Sequence, residues 1–195
     1  EVNKLKFHAI DVSPLNFYGN GNTSGMVFSL GIALKKKNNI YKLIGLTGDE
    51  IYTPSFGASK SESFSELSIL FGRELTLKKW LYIDGYAGIG YFRRTFTTPV
   101  AIPGTESGDC GFGGFCFSSP DYDYIDERES TVGLPLQARI GFQTGKRFSL
   151  GLQFHTNINS INSYYSLGLF LQWKLGKVQK ERPYRFHCAK SGKEA

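Results

Sequence analysis

Large apolar side chains recur at every second position in about eight segments of the chain. Leu134, Leu136, Ala138, Ile140 and Phe142 alternate with Pro135, Gln137, Arg139, Gly141 and Gln143. Phe148, Leu150, Leu152 and Phe154 alternate with Ser149, Gly151, Gln153 and His155. Tyr165, Leu167, Leu169, Leu171 and Trp173 alternate with Ser166, Gly168, Phe170 and Gln172. Successive strand residues point to opposite sides of a sheet, so each segment has one greasy face and one small or polar face. A soluble barrel puts its grease inside. Here the other face carries Gly, Ser, Gln and Arg, which turns the grease toward lipid and the polar face toward a lumen.

The same pattern predicts strands near 4–12, 24–35, 40–49, 64–74, 80–94, 131–143, 147–157 and 164–175. The first is the least regular, because Ile10, Val12 and Pro14 break its alternation. The connections alternate in length. Residues 36–39, 75–79 and 144–146 form tight basic turns, whereas 13–23, 50–63, 95–130 and 158–163 are longer, richer in Gly, Ser, Asn and Pro, or both. Short turns on one rim and long loops on the other predict an all-β, eight-stranded antiparallel up-and-down transmembrane barrel. An even strand count places both termini on the short-turn side. Trp80, Tyr91, Phe148, Tyr165 and Trp173, at strand ends, are placed at the lipid–water boundaries.

Composition narrows this further. The longest apolar-rich run, 25–34, is too short for a membrane helix, which needs ~20 residues, but barrel strands need only ~9–11. No secretory signal opens the chain, and the expectation is the mature form of an exported protein. Net charge is +6, but the segment after Gly176 holds six cations against two carboxylates, which leaves +2 for the rest. Without a basic face interleaved with aromatics, nucleic-acid binding is not expected. The chain therefore divides into a barrel, 1–176, and a basic periplasmic tail, 177–195.

An eight-stranded barrel is just wide enough for side chains to fill, so its polar interior must satisfy itself rather than conduct. Asp84 and Arg139 share the inward parity and form a candidate ion pair. Glu66, Tyr82, Tyr86, Gln137, Gln153 and His155 complete a hydrogen-bonded plug. A proton or substrate relay is the functional alternative. Paired buried charges are tolerated without one.

The last strand carries a resemblance. Ser166, Gly168, Leu171 and Trp173 place a polar residue, a glycine two on, then hydrophobics five and seven on. In this, and in its architecture over about 4–175, the chain resembles the small eight-stranded outer-membrane barrels, particularly the Bacteroidetes-type outer membrane protein β-barrel family. The resemblance implies that the last strand is the signal read by barrel-assembly machinery. The family usually ends there, and this chain continues. Some eight-stranded barrels are lipid A deacylases with a His-x-Ser-Asn signature. Here the matching stretch begins His155-Thr156-Asn157, so Asn157 stands where the nucleophile belongs, and His155 has inward parity, out of reach of lipid.

The longest connection holds Cys110 and Cys116 around a Gly/Phe turn, a candidate disulfide in an oxidising compartment that would stabilise the tip by about 2–3 kcal/mol. Phe112, Phe115 and Phe117 form an apolar knob suited to a protein partner or to folding back on the barrel mouth. Asp121, Asp123, Asp126, Glu127 and Glu129 make the next stretch acidic; calcium is the less favoured reading, because the EF-hand glycine is missing. No cofactor, metal site or catalytic residue is expected. Arg182, Tyr184, Arg185 and Phe186 in the tail are candidates for partner docking, and Cys188 is the odd thiol. The leading expectation is a non-enzymatic accessory or structural subunit of a bacterial outer-membrane assembly. The alternatives are an envelope lipid-modifying enzyme and a soluble barrel for a small hydrophobic ligand.

Overall fold

In the computed structural model, which describes residues 4–20, 24–50, 61–110 and 116–175, eight antiparallel strands close into one barrel in sequence order. They are β1 (Lys6–Gly19), β2 (Ser24–Lys36), β3 (Asn39–Glu50), β4 (Ser61–Lys78), β5 (Leu81–Cys110), β6 (Cys116–Gln143), β7 (Phe148–Ile158) and β8 (Tyr164–Lys174). Pairing of β1 with β8 closes the ring and removes both sheet edges.

The registers fix the shape. A row of paired residues leaves β3 at Asn39 and runs through Arg73, Gly85, Ala138, Phe154, Leu167, Phe17 and Met26. It returns to β3 at Asp49, ten residues beyond its start. With ~3.3 Å per residue and ~4.8 Å between strands, a stagger of ten over eight strands tilts them by about 40°. Each residue then gains ~2.5 Å of height along the barrel axis, and each step round the ring from β3 toward β4 gains ~3 Å.

Across the middle of the wall the outward set is apolar: Met26, Phe28, Leu30 and Ile32 on β2, Leu150, Leu152 and Phe154 on β7, and Leu167, Leu169 and Leu171 on β8 are all exposed. From Trp173 up to Tyr165 this wall is ~20 Å high, close to the ~25 Å apolar band of a membrane barrel. Trp80 stacks on Phe142 with ring centroids 5.9 Å apart at the short-turn end, and Tyr91 and Tyr165 stand exposed near the other. No helix among the described residues is long and apolar enough to cross a membrane.

Three expectations need correction. β1 does not stop near residue 12 but runs to Gly19, across the start of the predicted loop. A bulge between Ser13 and Asn16 lets Pro14 and Leu15 both face outward and switches the inward set from Asp11 and Ser13 to Asn16 and Tyr18. Pro14 lacks the N–H a regular ladder would require, so a bulge accommodates it. The predicted 95–130 loop is instead a two-stranded ribbon. β5 keeps β4 as a neighbour up to Thr97, opposite Ser61, and continues against β6 to Cys110, which lies opposite Cys116. Thr95, Thr97, Thr98 and Val100 suit a strand, and Arg94 faces Glu129 across the ladder. β4 also starts at Ser61 and continues to Lys78, which shortens both connections predicted beside it.

Candidate functional site

The lumen is filled by polar side chains arranged in tiers. In the tier nearer the short turns, Arg139 of β6 donates from Nε to Asp84 Oδ1 at 2.8 Å and from an Nη atom to Asp84 Oδ2 at 2.6 Å. The second of these nitrogens also donates to the Tyr86 hydroxyl at 3.0 Å, and that hydroxyl donates to Asp84 Oδ2 at 3.2 Å. Asp11 of β1 lies 3.5 Å from the other Nη and takes Lys42 Nζ of β3 at 2.8 Å. Lys42 donates in turn to Gln137 Oε1 at 2.8 Å. Two carboxylates and two cations thus neutralise one another in full burial, the condition under which buried charge is tolerated. Above the guanidinium plane the Phe170 ring lies 4.6 Å away.

Gly31 explains how Asp11 and Lys42 meet. A Cβ there would come within 2.8 Å of Asp11 Oδ2 and 2.7 Å of Lys42 Cε, so only a glycine leaves room for the pair. Gly168 of the last-strand signal has a similar place in the packing: a Cβ there would overlap Asn16 Oδ1, the acceptor of the Ser13 hydroxyl.

Below this tier Lys174 donates to Glu74 at 2.9 Å and lies over the Tyr82 ring, whose hydroxyl donates to Gln172 Oε1 at 3.0 Å. Toward the long loops, Glu66 of β4 accepts the Tyr164 hydroxyl at 2.5 Å and the Ser68 hydroxyl, and lies 3.3 Å from His155 Nε2. A layer of Tyr18, Phe64, Phe92 and Tyr164 packs there, with Phe64 and Tyr164 ring centroids 4.7 Å apart. Beyond it, at the rim, Arg94 pairs with Glu62 at 2.5 Å, and Asn162 donates to the same carboxylate at 3.2 Å.

Glu66, Asp84, Gln137, Arg139, Gln153 and His155 all lie buried in this lumen. Asp84, Arg139 and Gln137 share one network, Glu66 and His155 another, and Gln153 sits beside them with neither amide atom engaged among the described residues. His155 contacts Glu66 and the Tyr164 ring inside the barrel, while Ser160 hydrogen-bonds Thr131 at the rim; a molecule outside the wall does not reach the buried histidine. Ser166 is inward, and Leu171 and Trp173 are outward. Among the described residues no group of three potential metal ligands forms, and Asp126 accepts from Thr97 at 2.7 Å. Phe112, Phe115 and the tail residues Arg182, Tyr184, Arg185, Phe186 and Cys188 lie outside the described residues, and nothing is described of the Phe117 side chain.

Sequence reasoning omitted Asp11, Lys42, Tyr164 and the pairs Arg94–Glu62 and Lys174–Glu74. The signal for Lys42 was a lysine between Ile40 and Ile44 at period two; that for Asp11 was its place between Ala9 and Ser13.

No protein-family model matches the chain, and no curated protein matches it in sequence. Among solved structures it is similar to Ail, the attachment invasion locus protein of Yersinia pestis, with a TM-score of 0.50 and 12% identity over 88% of this chain and 98% of that one. It is also similar to Neisserial surface protein A, NspA, with a TM-score of 0.58 and 8% identity over 86% of this chain and 96% of the other. The likeness is one of fold: an eight-stranded, all-antiparallel up-and-down barrel of the kind these proteins form.

Proposed function

We propose that the chain is a non-enzymatic barrel of the bacterial outer membrane, an accessory or structural subunit that holds a ribbon outside the cell and a basic tail in the periplasm. One observation carries this reading: the wall inverts the usual polarity, with Leu, Ile and Phe exposed on the outside while Asp11, Lys42, Asp84 and Arg139 are sealed within. In water such a wall would aggregate; in lipid it is the favourable arrangement. The folds of Ail and NspA support the location. The last-strand pattern supports delivery by barrel-assembly machinery and kinship with the Bacteroidetes-type barrels.

The accessory role is supported by the ribbon. Beyond Thr97 on β5 and beyond Leu134 on β6, the ladders give each strand a single neighbour among the described residues, so main-chain groups are left for a partner strand. A Cys110–Cys116 disulfide would close its tip. Directly opposed antiparallel residues have Cα atoms ~4.5–5.5 Å apart, inside the range a disulfide spans. The networks of the lumen act in this reading as a structural plug, and the tail, 177–195, forms a second docking element.

Extraction of the full chain in mild detergent, followed by sizing and identification of co-eluting proteins, tests the role. A large particle that loses its companions when residues 177–195 are removed supports it. A lone barrel near 21.8 kDa before and after that deletion removes the accessory role. Folding in plain buffer without micelles would remove the membrane as well.

A further inference from the structure

A polar recess interrupts the outer wall among the described residues. Where β3, β4 and β5 approach the long-loop rim, a cleft of about 220 Å³ opens on the outside of the barrel. Its sides are two paired rows: Thr47, Ser65 and Arg93, and one step higher Asp49, Ser63 and Thr95. The rows just below are Gly45, Leu67 and Tyr91, then Leu43, Ile69 and Ile89. Polarity therefore changes within one pair of residues. On the height scale set by the barrel's stagger, Arg93 lies ~5 Å above Tyr91, at the level where an apolar band gives way to headgroups.

Arg93 has no ion-pair or hydrogen-bond partner among the described residues. Arg94, its neighbour in sequence, points the opposite way and is held by Glu62. Small hydroxyl side chains beside Arg93 keep the recess open, and the bulky exposed groups Ile158, Tyr165 and Phe17 on the other strands lie ~4–8 Å lower than Arg93 on the same scale. Asp49 stands two strands away from Arg93 and one row higher, ~12 Å across the cleft. A ligand suited to both ends has an anionic group for the guanidinium and a hydroxyl to donate to the carboxylate. Guanidinium groups bind phosphate oxygens through paired, charge-assisted hydrogen bonds, and basic pockets on membrane proteins hold lipid headgroups in this way.

We infer that this cleft binds the phosphorylated, hydroxyl-bearing headgroup of a lipid in the leaflet at the long-loop end, with Arg93 on the phosphate. The acyl chains then lie against Leu67, Ile69 and Ile89. The inference rests on the membrane-spanning reading, and the test separates the two.

The full chain, folded in non-ionic detergent micelles, is presented with phosphatidylglycerol, with diacylglycerol of the same chains, or with inorganic phosphate, and bound lipid is read by native mass spectrometry. Folding is scored independently by the mobility shift of unboiled protein in gels. Retention of phosphatidylglycerol over diacylglycerol, reduced about tenfold or more by Arg93→Gln, is expected from loss of a charged hydrogen bond. Arg73→Gln, an exposed arginine at the opposite rim, is expected to leave retention unchanged. Equal retention of the two lipids, equal losses in R73Q and R93Q, or binding of inorganic phosphate alone to the same extent overturns the lipid site while the barrel stands. Failure to fold in micelles overturns the membrane reading itself.

Discussion

The two faces of each strand are held by different physics. On the outside, Leu152, Leu167 and Leu169 are exposed, and in the proposed membrane they meet hydrocarbon, where stabilisation is spread over area and no single contact matters. On the inside, one residue along the same strands, Gln153, Ser166 and Phe170 share a sealed space with four charges whose partners are fixed by direction and distance. Outer positions should tolerate exchange and punish only charge. Inner positions should punish any change that leaves a partner behind. The pair of Glu62 and Arg94 at the rim, only partly covered, lies between the two regimes.

The largest expected effect is therefore inside. Asp84→Ala leaves Arg139 with only the 3.5 Å contact to Asp11 as charge compensation, and should cost about 3–5 kcal/mol in urea unfolding from micelles. Next comes charge placed on the outer wall. Leu169→Arg, near the middle of the band, should cost about 2–4 kcal/mol on the same assay. A smaller effect is expected from removing both partners together. Asp84→Leu combined with Arg139→Met leaves Asp11 and Lys42 as a neutral pair, and stability should stay within about 1–2 kcal/mol of the parent. If the double variant is as unstable as Asp84→Ala alone, partner loss is not what governs the lumen. The smallest effect belongs to the edge: Ile158→Arg, at the upper limit of the band, should cost about 0–1 kcal/mol, and a penalty equal to that of Leu169→Arg would mean that the band extends higher than the girdle.

Lumen and wall also differ in what they offer other molecules. The lumen spends its polar groups on itself, and a layer of Tyr18, Phe64, Phe92 and Tyr164 separates the mid-barrel charges from the rim. Among the described residues the wall turns polar at Thr47, Ser65 and Arg93 and in the row of Asp49, Ser63 and Thr95 above them, and there the Arg93 guanidinium faces outward without a partner. In the reading proposed above, the recess on the outer surface meets a lipid, while the ribbon and the tail meet protein partners.

Period-two alternation alone was enough to define the strands of the second half of the chain, the antiparallel order and the side on which Asp84, Arg139, Gln153 and His155 lie, because the side to which a residue points is a local property of a strand. It failed where both faces are apolar, as around Lys42 in Ile40-Tyr41-Lys42-Leu43-Ile44, and where Pro14 shifts the parity of β1 so that Asp11 lost its context. It also mistook the ribbon for a loop, since Gly and Pro punctuate 95–130 even though the two stretches supply each other's ladder. Which side chains meet was decided by tertiary structure alone. A stagger of ten residues around the ring carries Asp11 of β1 and Lys42 of β3 across the lumen to Arg139 of β6, and aligns Thr47, Ser65 and Arg93 in one outer row. That stagger is a property of the closed sheet and of no single strand, because each register is fixed only when the last strand finds the first.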